Sequence, residues 1–268
     1  RNAPESKLLW IALILKLLAS FAYLWVYIVH YSGASDSLVY YSRAAQVTES
    51  IRMHEKPSME FGFGTGFIVY LTGYIFLITG ANLYAGFLIY SWLSFIGMYL
   101  FYKAFKIAFP YANHKLYLYL IFFFPSIVFW TSQIGKDSLM FFFLGLVAYS
   151  LASLFVGVRF RDVLYLVIGL TGALFTRPEI AVIMTVAVLA VLFSFILLSK
   201  TVSGISRIAI SGILLVVCYF IIIQSLSFMG IAKISYGSVK SKIQLESDSN
   251  DMGNSQFQNT PATSLKRL

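Results

Sequence analysis

Eight apolar stretches separated by short polar caps run along this chain, at about Leu8 to Tyr31, Phe63 to Thr79, Leu83 to Tyr102, Leu116 to Trp130, Ser138 to Val158, Val163 to Thr176, Ile180 to Ser199 and Ile205 to Met229. A helix needs roughly 20 apolar residues to cross the hydrocarbon of a bilayer, so the pattern predicts an all-α, polytopic transmembrane helix bundle of about seven crossings. Phe63 to Thr79 is the exception. It is short and interrupted by Gly64, Gly66 and Gly73, which fits a partly inserted helix better than a crossing. Leu116 to Trp130 and Val163 to Thr176 are also short and are expected to lengthen into their flanks. Residues 1–230 thus form a membrane module. The stretch 231–268, rich in Ser, Asn, Gln and Lys, is expected to be a disordered tail or a truncated outer loop.

The loop Ser32 to Gly62 carries its own pattern. Leu38, Tyr41, Ala45, Thr48 and Ile51 or Arg52 recur with a helical period, predicting an amphipathic helix on the membrane surface with Asp36 as its N-cap. Leu8 to His30 is too long for the apolar core of a signal peptide and no small-residue cleavage site follows it, so it reads as a retained helix.

Composition then removes whole classes of function. With 59% hydrophobic and 12% charged residues and a mean hydropathy of +0.80, no water-soluble fold is in question. The net charge of +9 does not signal nucleic acid, because most Lys and Arg fall in short caps where they meet lipid headgroups. Cys218 is the single cysteine and sits in an apolar run, as inert packing.

Charge placement leaves two topologies open. If Phe63 to Thr79 does not cross, a cytoplasmic N-terminus puts Arg1, Lys7, Lys103, Lys106, Lys115, Arg159, Arg161, Lys200 and Arg207 inside and the Asp36 loop outside. If it does cross, an external N-terminus satisfies the same rule. The first is preferred because the glycine-rich segment is short.

Three groups of polar residues carry candidate chemistry. The first is Ser35-Asp36-Ser37-Leu38-Val39-Tyr40-Tyr41-Ser42-Arg43, where Asp36 is either a cap or a base, and Tyr40 and Tyr41 are either interfacial anchors or substrate contacts. The second is Phe124-Pro125-Ser126-Ile127-Val128-Phe129-Trp130-Thr131-Ser132-Gln133-Ile134-Gly135-Lys136-Asp137-Ser138, where Asp137 caps the next helix or, with Lys136, handles substrate. The third is Thr176-Arg177-Pro178-Glu179. Arg177 suits a phosphate through its planar fork, while Pro178 at a first helical position leaves Glu179 free to pair with Arg177 and the helix dipole. In the preferred topology Asp36, Lys136, Asp137, Arg177 and Glu179 meet at one membrane face. Lys16 lies inside the first span and either snorkels or pairs within the bundle. His30, His54 and His114 show no metal-ligand spacing, no phosphate-binding loop is present, and Gly62 to Gly66 reads as a tight turn.

The order of these features resembles the GT-C superfamily of integral-membrane glycosyltransferases, especially the protein mannosyltransferases and the RgtA-like lipopolysaccharide sugar transferases. The carriers are Asp36 after the first helix, Phe63 to Gly80, the basic exit Tyr102-Lys103-Ala104-Phe105-Lys106, the run Phe124-Pro125 to Lys136-Asp137, and Thr176-Arg177-Pro178. Two departures stand beside them. Gly64-Thr65-Gly66 replaces a proline pair, and the first loop lacks a paired acidic motif, which leaves a divalent cation as an option and not a requirement. The resemblance implies transfer of a sugar from a polyprenyl-phosphate donor to a hydroxyl on a glycan, lipid or protein acceptor, outside a bacterial inner membrane. It implies Asp36 as the base, with Tyr40, Tyr41, Arg43, Lys136, Asp137, Arg177 and Glu179 binding substrate. A flippase of polyprenyl-linked glycans and an O-antigen-type polymerase are the rival classes.

Overall fold

The computed structural model describes residues 3–157, 159–198 and 204–228. They form ten α-helices: α1 (Ala3–Val29), α2 (Asp36–Arg52), α3 (Thr65–Thr79), α4 (Leu83–Ala108), α5 (His114–Phe123), α6 (Pro125–Trp130), α7 (Lys136–Val156), α8 (Phe160–Thr176), α9 (Pro178–Leu198) and α10 (Gly204–Phe228). No strand occurs among the described residues. The described residues up to Ser225 belong to one compact unit. The stretch 231–268 lies outside the described residues. Among the rest, Glu5–Val29, Leu83–Ala108 and Lys136–Val156 are long and apolar enough to cross a bilayer, which marks a membrane protein.

Side-chain contacts set the direction of each helix. Glu5 pairs with Lys106 at 3.2 Å while Phe21 stacks on Tyr84, so α1 and α4 are antiparallel and the chain enters α4 at the end where it leaves α1. The intervening α2 and α3 therefore make no net passage. Gly86 faces Ile134, Gly97 faces Phe141, and Lys103 lies over the Tyr149 ring, so α7 runs parallel to α4. Gly172 against Phe143 and Gly169 against Val147 make α8 antiparallel to α7. The end of α1, the starts of α4 and α7, and the α8–α9 turn consequently share one end of the bundle.

Glycine sets the closest crossings. Gly97 and Gly145 abut, and a Cβ built on Gly145 would lie 2.5 Å from the Gly97 carbonyl oxygen. Small residues at such points let helix backbones touch, which matters in lipid because packing, not water exclusion, holds helices together.

Three expectations need correction. The surface helix α2 fully buries Ser37, Tyr40, Ala44, Val47 and Thr48; of the expected stripe Thr48 is buried and Leu38, Tyr41 and Ile51 are partly buried against the core, so the centre of the face is rotated by about one residue. The reason is α3: Gly73 admits Val47 to 3.2 Å of a would-be Cβ, and Thr48 donates to the Gly73 carbonyl at 3.0 Å. Next, Leu116 to Trp130 is not one lengthened helix. Pro125 holds Phe124 extended (φ −69°, ψ 116°) and breaks the run into α5 and α6. Finally, neither aspartate is a cap. Ser35 caps α2 by accepting from Leu38 N–H at 3.3 Å, and Gly135 precedes α7 with no side-chain cap.

Lys16 does not snorkel. It is 1% exposed, and its ammonium donates to the Val128 carbonyl at 3.1 Å and to the Thr131 hydroxyl. Ser91 donates to the Lys16 carbonyl at 2.9 Å, and the Ser138 hydroxyl lies 2.6 Å from the Gln133 carbonyl. This network ties α1, α4 and α6 to the Thr131–Gly135 turn that leads into α7. Lys16→Ala is expected to cost about 2–4 kcal/mol through the void and the lost donor, seen as a lower melting temperature in detergent. Lys16→Met, which refills the volume, is expected to recover the packing part of that loss.

Candidate functional site

Three segments far apart in sequence converge at the shared end of the bundle. Asp36 and Tyr40 from α2, Gln133 and Gly135 from the turn before α7, Lys136 and Asp137 from its first turn, and Arg177 and Glu179 from the α8–α9 turn line a cavity of about 150 Å³. A space of this size takes a phosphate-sized group or a few waters.

Each charged side chain is placed by a local rule. Asp36 and Asp137 sit in the first turns of α2 and α7, and Glu179 follows Pro178 in the first turn of α9, where the N-terminal dipole favours a carboxylate. Arg177 is held through its backbone on both sides. Its N–H donates to the Ala173 carbonyl at 2.8 Å, ending α8, and its own carbonyl accepts from Ile180 and Ala181 at 3.1 Å, starting α9.

The Arg177 guanidinium donates to Asp137 Oδ1 at 2.7 Å. This corrects the expected pairing with Glu179. Arg177 has extended backbone (φ −147°, ψ 93°), which turns its side chain toward α7 and away from the following helix. The pair is partly exposed, 34% and 46% on its two sides, so its worth is below about 1 kcal/mol and its role is to aim the guanidinium. The Arg177 Nε is buried without a partner among the described residues. Asp137 does not pair with Lys136 either, since consecutive helical residues diverge by about 100°. The Lys136 ammonium instead rests beside Gly64, 3.5 Å from where a Cβ would lie, and makes no ion pair among the described residues. Gly64 takes φ +69° and donates its N–H to the Phe175 carbonyl at 2.8 Å, locking the start of α3 to the α8–α9 turn. Any larger residue there would strain the backbone.

The sum of charges is nearly balanced. Lys136 and Arg177 stand against Asp36, Asp137 and Glu179, a formal total of −1, while the N-termini of α2, α7 and α9 contribute about +0.5 each. Asp36 is exposed and its carboxylate makes no hydrogen bond or ion pair among the described residues, so it is free to accept one. Tyr40 is buried beside it. Burial, and then the Asp36 charge, push the Tyr40 phenol above its ordinary pKa, so it stays a neutral donor at physiological pH.

Tyr41 and Arg43 are not part of this cavity. One helical step of about 100° carries Tyr41 to the α3–α4 loop, where it donates to the Ala81 carbonyl at 3.1 Å and meets Phe76 edge-on, and Arg43 lies on the exposed face of α2. Gln133 and Gly135 are lining residues that sequence reasoning passed over. The available signal was Gly135 directly before a Lys-Asp helix start. Among the described residues no group of three His, Cys, Asp or Glu is arranged to hold a metal ion.

No family model, curated protein or solved structure matches the chain.

Ser35→Ala is expected to destabilise α2 by about 1 kcal/mol. It should loosen Asp36 and Tyr40 together, visible as faster amide exchange over the first turn of α2.

Proposed function

We propose that this chain is a membrane glycosyltransferase that moves a sugar from a polyprenyl-phosphate donor to an acceptor hydroxyl on the extracytoplasmic face. The observation that carries the reading is the meeting of one free carboxylate, Asp36, with two cations, Lys136 and Arg177, on a single small cavity at one end of the bundle. A base beside positive charge is what glycosyl transfer from a phosphate requires.

In the proposed step the Asp36 carboxylate takes the proton of the acceptor hydroxyl. The hydroxyl oxygen forms the new bond to the anomeric carbon as the bond from that carbon to the phosphate oxygen breaks. The released electron pair stays on the polyprenyl phosphate, whose charge is met by Lys136 and Arg177. Asp137 aims the guanidinium, Tyr40 supplies a neutral donor, and Glu179 lies at the rim. The cavity takes the phosphate and the reacting atoms, and the prenyl chain remains among the helices. Inversion at the anomeric carbon follows from a single displacement.

This orientation is the one that the positive-inside rule favours when α3 does not cross. Lys7, Lys103, Lys106, Lys115, Arg159 and Arg161 all belong to the end of the bundle opposite the cavity, as expected for a cytoplasmic face. In this topology α1, α4, the α5–α6 pair, α7, α8, α9 and α10 are the crossings, in a bacterial inner membrane. Thiol accessibility tests it. In a Cys218→Ala background, single cysteines at Asp36, Lys136 and Arg177 are expected to react with an impermeant reagent from outside, and a cysteine at Arg161 only after permeabilisation. Labelling of the cysteine at Lys136 or Arg177 only from the cytoplasmic side would overturn the reading.

A further inference from the structure

A larger cavity than the Asp36 one lies at the other end of the bundle. About 680 Å³ opens between α1, α4 and α7, within the range of roughly 300–1,000 Å³ typical of ligand sites. Leu9, Trp10, Leu13 and Phe95 form its apolar walls, and Trp10 is 66% exposed. Its charged rim is asymmetric. Lys106 is paired with Glu5 at 3.2 Å, but Lys103 has no carboxylate partner among the described residues. The Lys103 ammonium lies over the rings of Tyr99 at 4.9 Å and Tyr149 at 5.7 Å. The Tyr149 hydroxyl in turn accepts from Arg161 at 3.4 Å. An aromatic-lined cation at the mouth of an apolar groove matches a molecule with one anionic head and a hydrocarbon tail.

We infer that this groove is a binding site for an anionic glycerophospholipid, with the acyl chain between α1 and α4 and the headgroup phosphate on Lys103. Charge complementarity selects the occupant. The rim carries Lys103 and Lys106 against Glu5 alone, a net +1, which a zwitterionic lipid does not neutralise. A basic side chain at a membrane surface contributes about 1 kcal/mol toward an anionic lipid, equal to a preference of about fivefold. The site is separate from the Asp36 cavity and does not depend on the chemistry assigned there.

Tryptophan quenching by bromine-labelled lipids tests the inference on the full chain in vesicles. Replacing Trp25, Trp92 and Trp130 with Phe leaves Trp10, in the groove wall, as the reporter. Bromine-labelled phosphatidylglycerol is expected to quench Trp10 with about fivefold higher apparent affinity than bromine-labelled phosphatidylcholine. Lys103→Gln is expected to erase that preference with circular dichroism and melting unchanged, and Lys103→Arg to keep it. Equal quenching by the two lipids, or a preference that survives Lys103→Gln, overturns the site. So does inorganic phosphate displacing the labelled lipid at millimolar concentration, because the acyl chain would then contribute nothing. If Lys103→Gln misfolds, comparing the two lipids on the protein with Lys103 intact decides the matter alone.

Discussion

Gly97→Leu is expected to abolish the folded bundle. A Cβ at this position would overlap the carbonyl oxygen and carbon of Phe141 and the backbone of Phe142. Because the obstacle is main chain, no rotamer change relieves it, and α4 and α7 must separate. Overpacking in a tight core costs about 1–3 kcal/mol, and more when the backbone must move. The separation would also loosen the contacts that Gly86, Phe101 and Lys103 make along the same pair of helices. Gly145→Leu approaches the same contact from α7 and is expected to fail in the same way. Gly212→Ala is the control: among the described residues nothing lies within 4 Å of a Cβ there, and the change should be neutral or mildly stabilising. Size-exclusion profiles and melting curves in detergent read all three. A Gly97→Leu protein that elutes and melts like the parent would mean that α4 and α7 do not pack as described.

Asp36→Asn is expected to reduce sugar transfer by about 10²–10⁴-fold, the usual contribution of a positioned general base. The substitution is clean because Ser35, not Asp36, caps α2, so helix geometry is retained. Melting temperature should be unchanged apart from the small dipole contribution of the first-turn carboxylate. Arg177→Gln should give a loss of similar size by a different route. It removes the cation that meets the departing phosphate and leaves Asp137 without its 2.7 Å partner. Arg177→Lys should recover only part of the activity, since an ammonium lacks the paired donors of the guanidinium. The assay is transfer from a synthetic polyprenyl-phosphate sugar to acceptor in reconstituted vesicles. Full transfer by Asp36→Asn would remove Asp36 from catalysis and leave the cavity a structural polar cluster.

Different parts of the molecule were legible in the sequence to different degrees. Helix existence was plain, because long apolar runs between basic caps have few alternatives. Caps were less so. Asp36 and Asp137 have the chemistry of an N-cap, yet Ser35 takes that position in α2 and Gly135, two residues before Asp137, takes it in α7, so both carboxylates fall inside the first turn. The buried face of α2 shares Thr48 with the expected stripe but is centred about one residue away, because the choice lay with Gly73 of α3, whose missing side chain admits Val47. Tyr40 and Tyr41 were equivalent as letters. One helical step separated a cavity-lining phenol from one that anchors a loop.

The linear pattern alone determined that this is a helical membrane protein, that α3 is too short and too rich in glycine to behave like its neighbours, and that charged residues would gather at helix ends. Burial of apolar segments and of backbone hydrogen bonds dictates each of these locally. Tertiary structure decided which ends coincide. Arg177 pairs with Asp137 and not with adjacent Glu179, and Lys136 lies against Gly64 and not with adjacent Asp137. Those choices depend on helix directions set by the Gly97–Gly145 contact and the Lys16 network. Contacts between residues far apart in the chain have no signature in the local periodicity of either segment.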